Sequence, residues 1–142
     1  MEIPGHLRLS VEDEPQPSEV AALVEQVALF NEARAEPEDR RPLAVFLRDG
    51  EEIVGGASGF THWHWLFVEY AWVRDDLRLH GTGSAVLAAI EDAGRSRGCR
   101  AAYLYTFGFQ ALAFYLKQGY RQFGQLTDFP PGNARHFLLK RL

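Results

Sequence analysis

The run Trp72-Val73-Arg74-Asp75-Asp76-Leu77-Arg78-Leu79-His80-Gly81-Thr82-Gly83-Ser84 narrows the folds open to this chain more than any other. An aromatic and β-branched segment, residues 66–73, leads into it, and beyond it Ala85, Val86, Ala89, Ile90 and Ala93 recur at three and four residues. That order spells strand, glycine turn and helix. Gly81 and Gly83 remove side chains where the chain turns tightly, so the backbone amides of residues 79–84 can converge on one concave site. The unpaired amides and positive dipole end of the helix face the same anion. Arg78 adds a charged donor, and Thr82 and Ser84 add hydroxyls. Residue by residue this reads as a pyrophosphate site, with a plain turn at a helix start as the alternative left open. A dinucleotide fingerprint fails because Val86 stands where its third glycine belongs, and no Gly-Lys-Ser or Gly-Lys-Thr of a triphosphate loop occurs.

The turn's geometry matters because global electrostatics do not favour an anion: the net charge is −4. The same charge, with no basic stripe beside Trp63, Trp65 and Trp72, disfavours nucleic acid, although an aromatic edge of this kind also suits a homodimer. With 142 residues, 46% of them hydrophobic, the chain has material for one domain with a sizeable core. Cys99 is the single cysteine, so no internal disulfide forms and a reducing, cytoplasmic setting is expected. The opening MEIPGHLRLS lacks signal-peptide features, and no uncharged apolar run approaches the roughly 18 residues that would call for a membrane.

Alternation of Leu7, Leu9 and Val11 predicts a first strand over residues 6–11. Helical spacing of Val20, Leu23, Val24, Val27 and Ala28 predicts a helix from an N-cap at Ser18 to about Asn31. Residues 32–41 read as a short helix or a loop. Segments 43–47 and 53–60 flank Asp49-Gly50, a hairpin signal, and 66–73 is the strand before the turn. The central helix is predicted over 81–97 with Gly98 as its stop. A strand over 100–106, a short helix over 110–118, and strands over 120–127 and 136–142 follow, giving a mixed α+β sheet with helices on its faces.

Arg78-Leu79-His80-Gly81-Thr82-Gly83 resembles the R/Q-x-x-G-x-G/A acyl-CoA-binding signature of the GNAT N-acetyltransferase superfamily. Ala111-Leu112-Ala113-Phe114-Tyr115-Leu116-Lys117-Gln118-Gly119-Tyr120 resembles its late A-x-x-x-Y-x-x-x-G-F/Y segment, and the ending is similar to that of small bacterial members. The resemblance implies a single domain over 1–142 with the acyl-CoA N-acyltransferase fold: a mostly antiparallel sheet of about seven strands, a splayed parallel pair and flanking helices. It implies acetyl-CoA as cosubstrate. Leu79, His80, Gly81, Thr82, Gly83 and Ser84, with Arg78, would hold the pyrophosphate. Ala71, Trp72 and Val73 would meet the pantetheine arm through backbone groups. The asparagine usual seven residues before the motif tyrosine is Gly108 here, and Gln110 is the candidate to supply the missing coenzyme-side or helix-start contact.

Attack of an amine on a thioester calls for a proton acceptor, stabilisation of the carbonyl oxygen and a donor to the departing thiolate. The resemblance makes Tyr115 that donor, with helix anchoring as the alternative. Glu69 interrupts an apolar strand and is the preferred base or water-positioning group. Alternation groups it with Phe67, Ala71 and Val73 on one face, where a buried carboxylate would be a better proton acceptor. His62 and His64 share a side if extended. Without a third ligand they suggest, with Trp63 and Trp65, a substrate-binding loop rather than a metal site. Asp128 and His136 flank Pro130-Pro131-Gly132; Asp128 is a substrate-side candidate, with a capped hairpin as the alternative. Cys99 has no catalytic neighbour in the sequence and reads as structural. The expected chemistry is direct acetyl transfer to the primary amine of a small molecule or peptide in a ternary complex. A longer-chain or protein-N-terminal acyltransferase and an inactive acyl-CoA sensor stay open.

Overall fold

A computed structural model describes residues 2–142, in two compact units that meet in sequence between Pro37 and Glu38. The first unit contains one helix, α1 (Pro17–Glu32). It starts on Pro17, whose fixed φ and missing N–H suit the first helical position; Gln16, not Ser18, is the N-cap. None of its residues is buried. The strand expected over residues 6–11 does not form: Leu9 and Val11 are 82% and 94% exposed and no ladder includes them. Alternation supplies a sheet face, but a strand exists only when a neighbour accepts its backbone bonds.

The second unit, Glu38–Leu142, holds a sheet of six strands rather than about seven. They are β1 (Arg41–Asp49), β2 (Glu52–His62), β3 (Trp65–Val73), β4 (Ala101–Phe107), β5 (Arg121–Thr127) and β6 (Ala134–Arg141), in the order β1-β2-β3-β4-β6-β5. Helix α2 (Thr82–Ser96) links β3 to β4, and the short α3 (Leu112–Lys117) links β4 to β5. Residues 33–40 contain no helix. Only β3 and β4 run parallel; every other neighbour pair is antiparallel. No helix among the described residues is long and apolar enough to cross a membrane.

One sheet face is the core. Leu66 and Val68 of β3, Leu104 of β4 and Leu138 of β6 pack with Val86, Leu87 and Ile90, the apolar stripe of α2. Leu66, Ile90, Leu104 and Leu138 are fully buried, each worth about 2 kcal/mol of apolar transfer. Leu112, Phe114 and Tyr115 bring α3 onto the same cluster. The other face is aromatic: Phe67 stacks on Tyr103 at 4.8 Å, Phe60 meets Phe67 at 5.2 Å, and Tyr105 meets Phe137 at 6.2 Å between ring centres.

A bulge shapes the middle of the sheet. Gly59 pairs with Val68 but the next residue, Ser58, pairs with Tyr70, so Glu69 is an extra residue opposite no partner. A side chain at Gly59 would overlap the Phe67 carbonyl, which fixes glycine there. Gly59→Ala is expected to cost about 3 kcal/mol or more, lowering Tm by about 10 °C; thermal unfolding within 2 or 3 °C of the parent would contradict this reading of the bulge.

Candidate active site

β3 and β4 are bonded only from Trp65↔Ala101 to Val68↔Leu104. The pairing stops where Glu69 bulges. Beyond it β3 continues to Val73 held by β2, while β4 continues to Phe107 held by β6. The facing edges of the two strands therefore carry backbone groups without sheet partners, the setting in which an extended amide-bearing ligand can bind.

The bulge also corrects the expected alternation. Phe67 faces the aromatic side, but Ala71 pairs with buried Ala57, and Val73 packs on the core. One extra residue reverses the side on which every later residue falls. Phe67, Glu69, Ala71 and Val73 thus do not share a face. Glu69 is exposed at the point of divergence, so the buried setting expected for it is absent. The exposed Trp72 pairs with Gly56 on the aromatic side.

From Val73 the chain makes a single 3-10 turn over Asp75–Leu77 and enters α2 through Gly81. Gly81 has φ 76° and no nearby atom, so conformation, not space, demands glycine there. Its carbonyl accepts the first helical bond, from Ala85 N–H at 3.0 Å. Thr82, Gly83 and Ser84 therefore present the first amides of the helix, and Gly81, as N-cap, has no side chain to cap them. Gly83 lies beside α3, where a Cβ would meet the Phe114 ring at 3.4 Å. That contact, with Gln118 Nε2 donating to Ser84 Oγ at 2.9 Å, ties α3 to the turn. Arg78, exposed, donates to the Val73 carbonyl at 2.9 Å and pairs with Asp75 at 2.8 Å, so its side chain ties the loop back to the end of β3. Leu79, at φ 66°, and His80 are exposed.

Tyr115 lies on α3 with its ring stacked on Phe114 at 5.2 Å and edge-on to Tyr120 at 5.8 Å. Burial pushes its phenol above the ordinary tyrosine value, which keeps the hydroxyl protonated. Gln110 serves the start of this helix region: its Oε1 accepts from Phe107 N–H at 3.0 Å and Thr106 Oγ1 at 3.3 Å, while Thr106 Oγ1 accepts from Ala111 N–H. Gly108 leaves room for a side chain, the nearest atom to a Cβ being His136 Nε2 at 3.7 Å.

The histidine and tryptophan cluster is placed elsewhere. Trp63 and His64 both have positive φ, 43° and 64°, and form the two-residue turn that joins β2 to β3. His62 and His64 therefore do not lie along one extended edge. Sequence gives no sign of this turn because glycine and asparagine, its usual residues, are missing. The turn is at the opposite end of β3 from Val73, about 25 Å along the strand. His62 has both ring nitrogens engaged at 2.8 Å, Nδ1 with Glu38 and Nε2 with the Tyr103 hydroxyl, and Trp65 meets the Tyr103 ring edge-on. Asp128 is likewise absorbed locally: it adopts φ 57° and its Oδ1 accepts from Gly132 N–H at 3.1 Å, closing its own turn.

Two groups on β6 escape the sequence reading. Arg135 sits over three aromatic rings, and Lys140 reaches buried Glu91. Both stand in an unremarkable strand pattern, and their surroundings come from residues distant in sequence.

Comparison with known proteins agrees with this architecture. The sequence model of the acetyltransferase (GNAT) family matches residues 7–120. A blasticidin-S acetyltransferase of Streptomyces morookaense is 37% identical over 109 residues, 73% of this chain and 80% of that protein. The crystal structure of an acetyltransferase from Bacillus cereus superposes with a TM-score of 0.85 at 30% identity, covering 94% of this chain and 98% of the other. An Agrobacterium tumefaciens structure described as an acetyltransferase gives a TM-score of 0.88 at 29% identity, covering 96% and 100%. With its strand–glycine turn–helix and parted parallel strands, the chain belongs to the GNAT family and is an acetyl-CoA-dependent acetyltransferase.

Proposed function

We propose that this enzyme moves the acetyl group of acetyl-CoA to the primary amine of a small polar molecule, an amine-bearing antibiotic being the leading class, by direct attack in a ternary complex. The observation that carries the reading is the parting of β3 and β4 beyond Val68 and Leu104, in a chain that leaves β3 for a glycine turn at a helix start; Tyr115, buried and held protonated on α3, is the acid this reading assigns. The substrate class draws support from the blasticidin-S-acetylating relative.

In this reading the amides of Thr82, Gly83 and Ser84 hold the pyrophosphate, and the free edge of β3 near Ala71–Val73 takes the pantetheine amides. The coenzyme occupies the side of the sheet that bears α2 and α3. The amine then approaches from the aromatic side, and its nitrogen bonds to the thioester carbon as the carbon–sulfur bond breaks. Tyr115 protonates the leaving sulfur, and Glu69, exposed at the bulge, takes the amine's proton directly or through water. Direct transfer is favoured over an acetyl-cysteine intermediate because Cys99 is buried in the core, and burial pushes its thiol up, away from the nucleophilic thiolate.

The test is acetyl-CoA-dependent turnover against blasticidin S, polyamines, aminoglycosides, amino acids and peptides, scored by thiol release and product mass. Amine-dependent thiol release with a matching acetylated product is expected. Silence across the panel overturns the reading, and isolation of a competent acetyl-enzyme overturns direct transfer.

A further inference from the structure

Arg135 presents a cation whose polar demands the protein does not meet. It stands on β6 opposite Phe107, the last residue of β4. Its guanidinium carbon lies 4.0 Å from the centre of the Phe129 ring, 4.3 Å from that of Tyr105 and 5.1 Å from that of Phe107. Its Nε is sealed from solvent without a hydrogen-bond acceptor, the one side-chain atom so placed among the described residues. No carboxylate of the described residues reaches the group within ion-pair distance: Asp128, near in sequence, is turned to the Gly132 amide. Among the described residues the terminal nitrogens also lack a protein acceptor and, unlike Nε, are not sealed from solvent.

Stacking fixes the plane of the guanidinium and removes much of its water without neutralising it, and three ring faces supply only part of the lost hydration. What completes such a group is a pair of anionic oxygens, which a planar fork of N–H donors binds in two parallel bonds. Tyr105 and Phe107 belong to the length of β4 that has parted from β3, and their rings lie on the face opposite α2. The cation therefore flanks the side from which the acceptor enters in the proposed reaction.

We infer that Arg135 is a specificity-determining residue that binds a carboxylate on the acceptor, so that the preferred substrate is a primary amine that also carries a carboxylate. The inference rests on the proposed transfer to an amine and adds the acceptor's second functional group. The amine is held neutral for attack at the parted strands while the carboxylate is anchored on the β6 side, fixing the distance between the two groups. A cationic polyamine, by contrast, meets an unneutralised positive charge at this position and is selected against.

The experiment uses the intact enzyme and matched pairs of primary amines, each acid beside its carboxamide, drawn from amino acids, dipeptides and larger amine-bearing acids. For the parent enzyme, kcat/KM is expected to favour the acid of the preferred pair by about tenfold or more. In Arg135→Met, which keeps the apolar stem, that ratio is expected to fall by about ten- to a hundredfold, mainly through the KM of the acid. Arg135→Lys, which keeps the charge but not the fork, is expected to recover part of it. Equal use of acid and amide by the parent overturns the inference even if Arg135→Met fails to fold, and so does a variant that loses both substrates in proportion. Turnover with an acid-to-amide ratio near one leaves amine acetylation standing and removes only the carboxylate; absence of turnover with every amine removes both.

Discussion

Tyr115→Phe is expected to lower kcat by about 10²-fold or more while leaving acetyl-CoA affinity within about threefold of the parent. The substitution deletes one oxygen and preserves the ring that stacks on Phe114 and meets Tyr120, so α3 keeps its place against Gly83 and Ser84. Because the coenzyme's phosphates would be held by backbone amides, ground-state binding does not depend on the hydroxyl. The loss falls on the step in which sulfur departs, and a hundredfold corresponds to about 2.7 kcal/mol of transition-state stabilisation. The pH profile gives a second readout. Burial raises the phenol above its ordinary value, so the acid form persists through neutral pH and the parent's alkaline limb is expected beyond the usual tyrosine range. That limb is absent from the phenylalanine variant. Stopped-flow or steady-state rates that match the parent across the whole range would remove Tyr115 from acid duty and leave it as a helix anchor.

The second large effect is on stability. Glu91 of α2 is 4% exposed and accepts from Lys140 Nζ of β6 at 2.9 and 3.2 Å and from the Tyr120 hydroxyl at 2.8 Å. Glu91→Ala leaves an ammonium and a phenol facing a void and is expected to cost about 3–5 kcal/mol, lowering Tm by about 10–20 °C. Glu91→Gln, which keeps an acceptor for Tyr120, is expected to lose less. The triple replacement Glu91→Leu, Lys140→Met and Tyr120→Phe is expected to regain most of the loss, since no unpaired charge remains. Tyr120 also sets a pH limit. Burial, then Glu91, holds its phenol far above the ordinary value, so its contribution is complete below the usual tyrosine range and is lost as pH rises beyond it. Calorimetry of the three variants decides the matter; a Glu91→Ala protein melting with the parent would show the network to be energetically idle.

Local signals carried most of the elements. Apolar periodicity and Gly98 located α2 to within a residue, and Asp49-Gly50 located the β1–β2 reversal because Gly50 adopts φ 59° at no steric cost. The glycine turn is equally legible: Gly81 needs its backbone angle, and Gly83 lies beside the Phe114 ring. The strand expected at residues 6–11 was not realised, since alternation specifies a face and not a neighbour. The Trp63-His64 turn was missed because flanking strands impose on those residues a backbone angle their side chains disfavour. Glycine recurs in β2 at 55, 56 and 59, and nothing in the sequence marks Gly59 as the residue that faces the bulge.

The sequence by itself determined the anion-ready helix start, the order of strands and helices in the second unit, and the candidacy of Tyr115 and Glu69. Each of these depends on backbone rules acting over a few residues, or on a motif read in one stretch. The tertiary structure alone decided that β3 and β4 part after Val68, that Glu69 is the unpaired residue at that point, and that Arg135 lies in an aromatic box without a counter-charge among the described residues. Those features arise from pairing register and from packing between strands far apart in sequence, where a single extra residue reverses the face of everything beyond it.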